Sequence, residues 1–134
     1  MMEKTITIDS YAWIEYFKGS SEGAIVNNSL KEYETIYTPV NVLAEVCEFF
    51  KRKNKDFGYA RRVIESRSEI YHFSEDEWLE SIDKKIKMRK SGAKNFGLMD
   101  AMVMVCAKNT NGKIITGDPH FKNIDEVIFL EKSD

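Results

Sequence analysis

The stretch Thr5-Ile6-Thr7-Ile8-Asp9-Ser10-Tyr11-Ala12-Trp13-Ile14-Glu15-Tyr16-Phe17 decides the architecture. Residues 5–8 alternate polar and β-branched apolar side chains, the pattern of a short strand ending at Asp9. From Tyr11 to Phe17 the pattern reads as helical, so the strand passes almost directly into a helix. A strand running straight into a helix is half of a βαβ unit, and such units build parallel sheets covered on both faces.

The same alternation continues along the chain. After the break at Gly19-Ser20-Ser21, Glu22 to Glu32 predicts a second helix and Thr35-Ile36-Tyr37 a second strand. Thr38-Pro39 reads as a helix start, with Thr38 as N-cap and Pro39 at the first helical position. The helix that follows carries Val42, Leu43, Val46, Phe49 and Phe50 at helical spacing. Phe57 to Glu65 predicts a helix and Glu69 to Phe73 a strand. Ser74-Glu75-Asp76-Glu77 opens another helix in the Ser-x-x-Glu capping-box pattern, with acids in its first turn. Gly92 to Gly97 reads as a loop, Leu98 to Asn109 as an apolar helix, Lys113 to Thr116 as a strand and Val127 to Leu130 as a final strand. The expected fold class is α/β, with a central, mainly parallel sheet and right-handed crossovers. In such sheets ligands bind beyond the carboxyl ends of the strands.

Composition narrows the classes. The 134 residues contain no repeat, low-complexity segment or Pro/Gly/Ser linker, which predicts one domain over 1–134. A hydrophobic content of 43%, with 8 Phe, 6 Tyr and 2 Trp, is enough for a core and argues against a disordered chain. Cys47 and Cys106 are too few for a disulfide scaffold and lack zinc-site spacing, so buried free thiols in a reducing cytoplasm are expected. Met1-Met2-Glu3-Lys4 leads into the first strand without an apolar leader. The longest apolar run, Ala101 to Ala107, falls far short of the ~20 residues a spanning helix needs, so no membrane partner is expected. The net charge of −2 gives no overall bias towards nucleic acid. Basic residues gather locally in Lys51-Arg52-Lys53-Asn54-Lys55, in Arg61-Arg62 and from Lys84 to Lys94, as solvated helix faces or as phosphate contacts.

Four acids stand in unusual places. Asp9 closes the first strand, either as N-cap of the next helix or as a cleft residue. Asp118, in Thr116-Gly117-Asp118-Pro119-His120-Phe121, also lies past a strand end, where Gly-Asp-Pro is a ready turn sequence. Asp100 is the only charge between Lys94 and Lys108 and precedes Ala-Met-Val-Met-Val-Cys-Ala. It is either a helix cap or a carboxylate whose burial a bound cation would offset. Glu45 sits among apolar residues on its helix with no basic residue in place to pair with it, and Asn41 lies one turn earlier, where it could serve the helix cap. With no His or Cys cluster to compete, an all-oxygen set of this kind suits Mg²⁺ or Mn²⁺. Such a site activates water and clamps the oxygens of a phosphoryl displacement.

At these positions the chain resembles the PIN-domain family, and within it the VapC-type toxin endoribonucleases. The resemblance is carried by Ile8 to Phe17, by Thr38 to Val46, by Gly97-Leu98-Met99-Asp100-Ala101 and by Ile115 to Phe121, in the family's order and spacing. It implies a three-layer α/β/α sandwich and a Mg²⁺- or Mn²⁺-dependent endoribonuclease whose acidic cluster is Asp9, Glu45, Asp100 and Asp118. Thr116, Ser10 and Asn41 match polar positions that support the cluster. The resemblance further implies an RNA substrate, a homodimer and a cognate antitoxin. Within the family, an RNA-processing nuclease that is not a toxin is the alternative. Outside catalysis, the alternative is an interaction module holding a structural ion. A phosphoacceptor receiver domain needs an acidic pair after its first strand and a late Lys. A haloacid-dehalogenase-like phosphatase needs Asp-x-Asp there, and Asp9-Ser10-Tyr11 offers neither. His72 and His120 are assigned no role.

Overall fold

A computed structural model describes residues 4–131. The leader reading over Met1 to Glu3 falls outside them. Strands β1 (Thr5–Ile8), β2 (Thr35–Pro39), β3 (Glu69–Tyr71), β4 (Lys113–Thr116) and β5 (Val127–Phe129) form one sheet in the order β3-β2-β1-β4-β5, parallel at every pairing. Helices α1 (Ser10–Lys18), α2 (Ser21–Glu32), α3 (Val40–Arg52), α4 (Gly58–Arg67), α5 (Glu75–Lys90) and α6 (Leu98–Asn109) connect them. This is the three-layer α/β/α sandwich that the alternating pattern implies.

Placing β1 at the centre explains its composition. Ile6 and Ile8 are fully buried, and Thr7 between them is equally buried, its hydroxyl beside Cys106 Sγ at 3.7 Å. Trp13, on α1, is also fully buried, and its Nε1 donates to Thr38 Oγ1 at 3.0 Å. Leu30, Val42, Val46, Ile64, Phe96, Ile115 and Phe121 close the same core from the other elements. At about 25 cal/mol per Å² of apolar surface removed from water, these side chains are the main favourable contribution to folding.

The chain moves outward from β1 through β2 to β3, then returns to place β4 on the other side of β1. The strand order therefore reverses between β1 and β4, which opens a crevice at their carboxyl ends. Asp9 and Asp118 follow those two strands.

Two details differ from the sequence reading. Thr38 does not cap α3: β2 continues through Pro39, which pairs with Tyr71, and the helix begins at Val40 without a side-chain cap. The Thr38 hydroxyl turns inward, accepting from Trp13 and sharing a 2.7 Å hydrogen bond with Ser68. Cys106 is buried, but Cys47 is only partly so; both are free thiols. The Ser74 capping box forms as read, with the Ser74 and Glu77 side chains each accepting from the other's backbone N–H.

Candidate active site

Asp9 is the N-cap of α1 and a wall of the crevice at once. Its Oδ1 accepts from the Ala12 N–H at 2.9 Å, its Oδ2 accepts from the Thr116 hydroxyl, and the residue is 4% exposed. The cap reading and the cleft reading are therefore compatible. Thr116 is fully buried, and its oxygen also accepts the Asp118 N–H at 2.9 Å. One hydroxyl thus ties together the acids that follow two adjacent strands.

Asp118 caps the short 3-10 turn Pro119–Phe121, accepting from the His120 N–H at 2.9 Å. The turn is closed over by a ring: a Cβ added to Gly117 would lie 2.2 Å from the Tyr11 ring. Only glycine fits there. Tyr11 is anchored by its hydroxyl, which donates to the buried Glu22 at 2.8 Å.

Asp100 is not an N-cap. It stands in the first turn of α6, whose N-cap is Gly97, and its Oδ2 accepts the Gly97 N–H at 2.9 Å. That contact aims the carboxylate back over the helix start and satisfies one of the free amides there. Asn41 does not complete a cap either: its Nδ2 donates to the Met99 carbonyl at 3.4 Å, joining α3 to the start of α6. Its Oδ1 is buried and has no protein partner, so the amide offers an unused acceptor. Ser10 hydrogen-bonds to Glu45.

The electrostatics show that these acids share one space. Burial, first of all, raises Asp9 from its ordinary value to about 7, with the charges of Asp118 and Glu45 adding to the effect against the Thr116 and Ala12 hydrogen bonds. Burial likewise raises Glu45 to about 7, reinforced by Asp100 and Asp118. Asp100 is also raised by burial, with the Gly97 amide and His120 opposing. Such mutual repulsion among half-buried carboxylates is relieved by a proton or a cation.

His120 is the residue that sequence reasoning missed. Its Nδ1 lies 2.9 Å from Asp100 Oδ2 and 3.6 Å from Asp118 Oδ1. Ligand atoms of Asp100, Asp118 and His120 all fall within 4.8 Å of one another. Asp9 and Glu45 couple to these acids through charge. His120 is two residues past Asp118 in a Pro-initiated turn, but its nearer partner, Asp100, is twenty residues away and leaves no local signal. The donor set is therefore mostly oxygen with one imidazole at its rim, and it still suits a hard divalent cation.

The family model described as the PIN domain matches residues 6–127. Among curated proteins, none matches the chain in sequence. Solved structures share the fold. A structure of VapBC2 from Rickettsia felis bound to a DNA fragment from its promoter matches at 21% identity and TM-score 0.72, over 97% of this chain and 99% of that one. VapC20 of Mycobacterium tuberculosis, a sarcin-ricin loop cleaving toxin, matches at 13% identity and TM-score 0.72, over 90% and 95%. A toxin-antitoxin complex from Klebsiella pneumoniae matches at 17% identity and TM-score 0.70, over 96% and 99%.

Proposed function

The chain belongs to the PIN-domain family, and from that premise we propose that it is a metal-dependent endoribonuclease, the toxin of a type II toxin-antitoxin pair. We read it as one nuclease domain over 1–134, acting in the cytoplasm. The observation that carries the reading is the convergence of Asp9, Glu45, Asp100 and Asp118 where the strand order reverses, with Asp9 and Glu45 both raised to about 7. Acids that hold protons at neutral pH for want of a counter-charge make a strong cation site.

In this reading Asp9 and Asp100 hold Mg²⁺ or Mn²⁺, with Glu45 and Asp118 as direct or water-mediated ligands. A bound ion of this kind supplies an acidified water and neutralises charge on the scissile phosphate. The chain's own residues do the rest. Thr116 fixes the Asp9 carboxylate and the Asp118 backbone, Ser10 holds Glu45, and the Gly97 amide orients Asp100. Asn41 sets the spacing of α3 and α6 through Met99. His120, with its side chain 38% exposed, sets its Nδ1 against Asp100 at the open edge of the cluster. Water would attack the phosphorus in line with the 3′-oxygen, the P–O3′ bond would break and the 3′-oxygen would leave and take up a proton, so that with the 2′-hydroxyl idle the products carry 5′-phosphate and 3′-hydroxyl ends.

Single-stranded or loop RNA is the substrate class. Among the basic residues before Asp100, Arg89 is engaged within the fold, donating from Nε to the Phe96 carbonyl at 2.7 Å. Lys84, Lys85, Lys87, Lys90 and Lys94 remain for phosphate contacts. Structural neighbours solved as toxin-antitoxin complexes support a cognate antitoxin as partner, and we read the protein as a homodimer. Among the described residues no helix is long and apolar enough to cross a membrane.

The test is cleavage of mixed cellular RNA by the purified protein, freed of any inhibitory partner, in Mg²⁺ or Mn²⁺. EDTA and Asp100→Asn run alongside, and the product ends are mapped. Discrete cuts with 5′-phosphate ends that vanish in both controls support the reading. A 2′,3′-cyclic phosphate, or no cleavage with either metal, overturns it.

A further inference from the structure

Glu22 is a carboxylate outside the acidic cluster, yet it is only 3% exposed. It is the second residue of α2, where the free amides of a helix start favour a negative charge. The turn before it is tightly built. The Ser20 hydroxyl caps α2, accepting from the Gly23 N–H at 3.0 Å and donating to the Glu15 carbonyl at 3.3 Å. A Cβ added to Gly23 would lie 2.2 Å from that same carbonyl oxygen, so α2 rests directly on the backbone of α1. The hairpin thereby holds the Glu22 side chain against the start of α1.

There its Oε2 accepts the Tyr11 hydroxyl at 2.8 Å. Tyr11 stands two residues after Asp9, and the ring edge that leads to its hydroxyl lies across Gly117. A Cβ at Gly117 would meet Cε1, Cζ and Cδ1 of that ring at 2.2 to 2.8 Å. The ring is thus tethered beside one acid of the cluster and pressed on the residue before another, Asp118. Rotation about the Tyr11 Cα–Cβ bond would swing the ring off Gly117, and the hydrogen bond to Glu22 at its far end opposes that rotation.

Apolar side chains at both positions would fill this space without burying a carboxylate. A buried polar pair is often no more stabilising than such packing, and what it can fix instead is one geometry. The geometry fixed here is that of the turn carrying Asp118.

We infer that Glu22 is a positioning residue for the acidic cluster, holding the Gly117-Asp118 turn in place beside Asp9 through the Tyr11 ring. The inference rests on the nuclease reading for what the cluster binds, but its first readout needs neither metal nor RNA. Amide hydrogen exchange of the full chain is followed in EDTA at Asp118 and Phe121, whose N–H groups donate to Thr116 Oγ1 and to the Asp118 carbonyl. The Gly23 amide serves as the reference within the hairpin. Tyr11→Phe and Glu22→Leu should each speed exchange at Asp118 and Phe121 by roughly tenfold relative to Gly23. Each should also weaken Mn²⁺ binding in titration calorimetry by roughly tenfold. Glu22→Gln keeps an acceptor for the phenol and should retain most of both. Because Glu22 acts through the ring, the double variant Tyr11→Phe/Glu22→Leu should be no worse than the worse single one. Tyr11→Phe removes the same bond without touching α2, so the test holds even where Glu22→Leu fails to fold. Unchanged exchange at Asp118 and Phe121 in Tyr11→Phe overturns the inference, as do single effects that add in the double variant. A wild type that binds no Mn²⁺ while the exchange pattern holds overturns the nuclease reading and supports the positioning contact.

Discussion

The buried hydroxyl of Thr116 donates to Asp9, across the boundary between the two strands whose order reverses at the site. The same oxygen accepts the Asp118 amide, so a residue with no charge sets the positions of two acids. Replacing it by the near-isosteric Val removes the donor and leaves a buried carboxylate oxygen unpaired. Thr116→Val should lower stability by about 1–3 kcal/mol in denaturant unfolding and depress RNA cleavage. Thr116→Ser should keep most of both.

Stability should depend on pH in a direction set by the acidic cluster. Asp9 and Glu45 titrate near 7 in the fold, against 3.8 and 4.5 ordinarily. Between those limits the folded state holds protons that the unfolded chain has lost, so their effect on stability is unfavourable and grows as pH rises through the window. In EDTA, the melting temperature should fall from pH 5 to pH 7.5, and Asp9→Asn should flatten the slope. Mg²⁺ or Mn²⁺ should raise the melting temperature more at pH 7.5 than at pH 5.

His120 stands against Asp100 and Asp118 with its ring partly exposed, so its removal should leave the fold nearly unchanged. His120→Ala should reduce RNA cleavage or metal affinity by roughly 10–100-fold, as for other groups that orient site carboxylates. A variant with wild-type rates and wild-type metal titration would remove His120 from the site.

Gly117 is pressed against the Tyr11 ring, and a methyl group there has nowhere to go. Gly117→Ala should displace either the ring or the turn that carries Asp118, with loss of cleavage greater than loss of stability. Combining it with Tyr11→Ala should recover part of the rate, since the obstacle is then gone. Strictly additive losses in this cycle would refute the steric account.

Trp13 is fully buried and its indole N–H is spent on Thr38. Trp13→Phe keeps much of the apolar volume while losing that bond, and about 1–3 kcal/mol of stability should go with it. The Thr38–Ser68 contact remains available, which places the expected cost towards the lower end.

Much of the layout was legible along the chain because strand alternation, helix periodicity and capping are local. The strand ending at Ile8, the capping box at Ser74 and the apolar helix from Leu98 need only neighbouring residues to explain them. Asp9 and Asp118 were legible as strand-end acids for the same reason. Thr38 was misread because its local context favours a cap, whereas the β2–β3 ladder carries the strand one residue further and Trp13 claims the hydroxyl. His120 was passed over because no nearby residue announces Asp100 as its partner.

By itself, then, the sequence determined which segments become strands and helices, and which acids stand at their ends. Periodicity and turn chemistry act over a few residues, and those properties follow from them. Only the tertiary structure decided that Thr116 grips Asp9, that His120 enters the cluster, and that Asn41 braces α6 at Met99. Those contacts exist because the chain returns to β4 beside β1 and packs α6 against α3. They depend on crossover and close packing, and no local pattern encodes them.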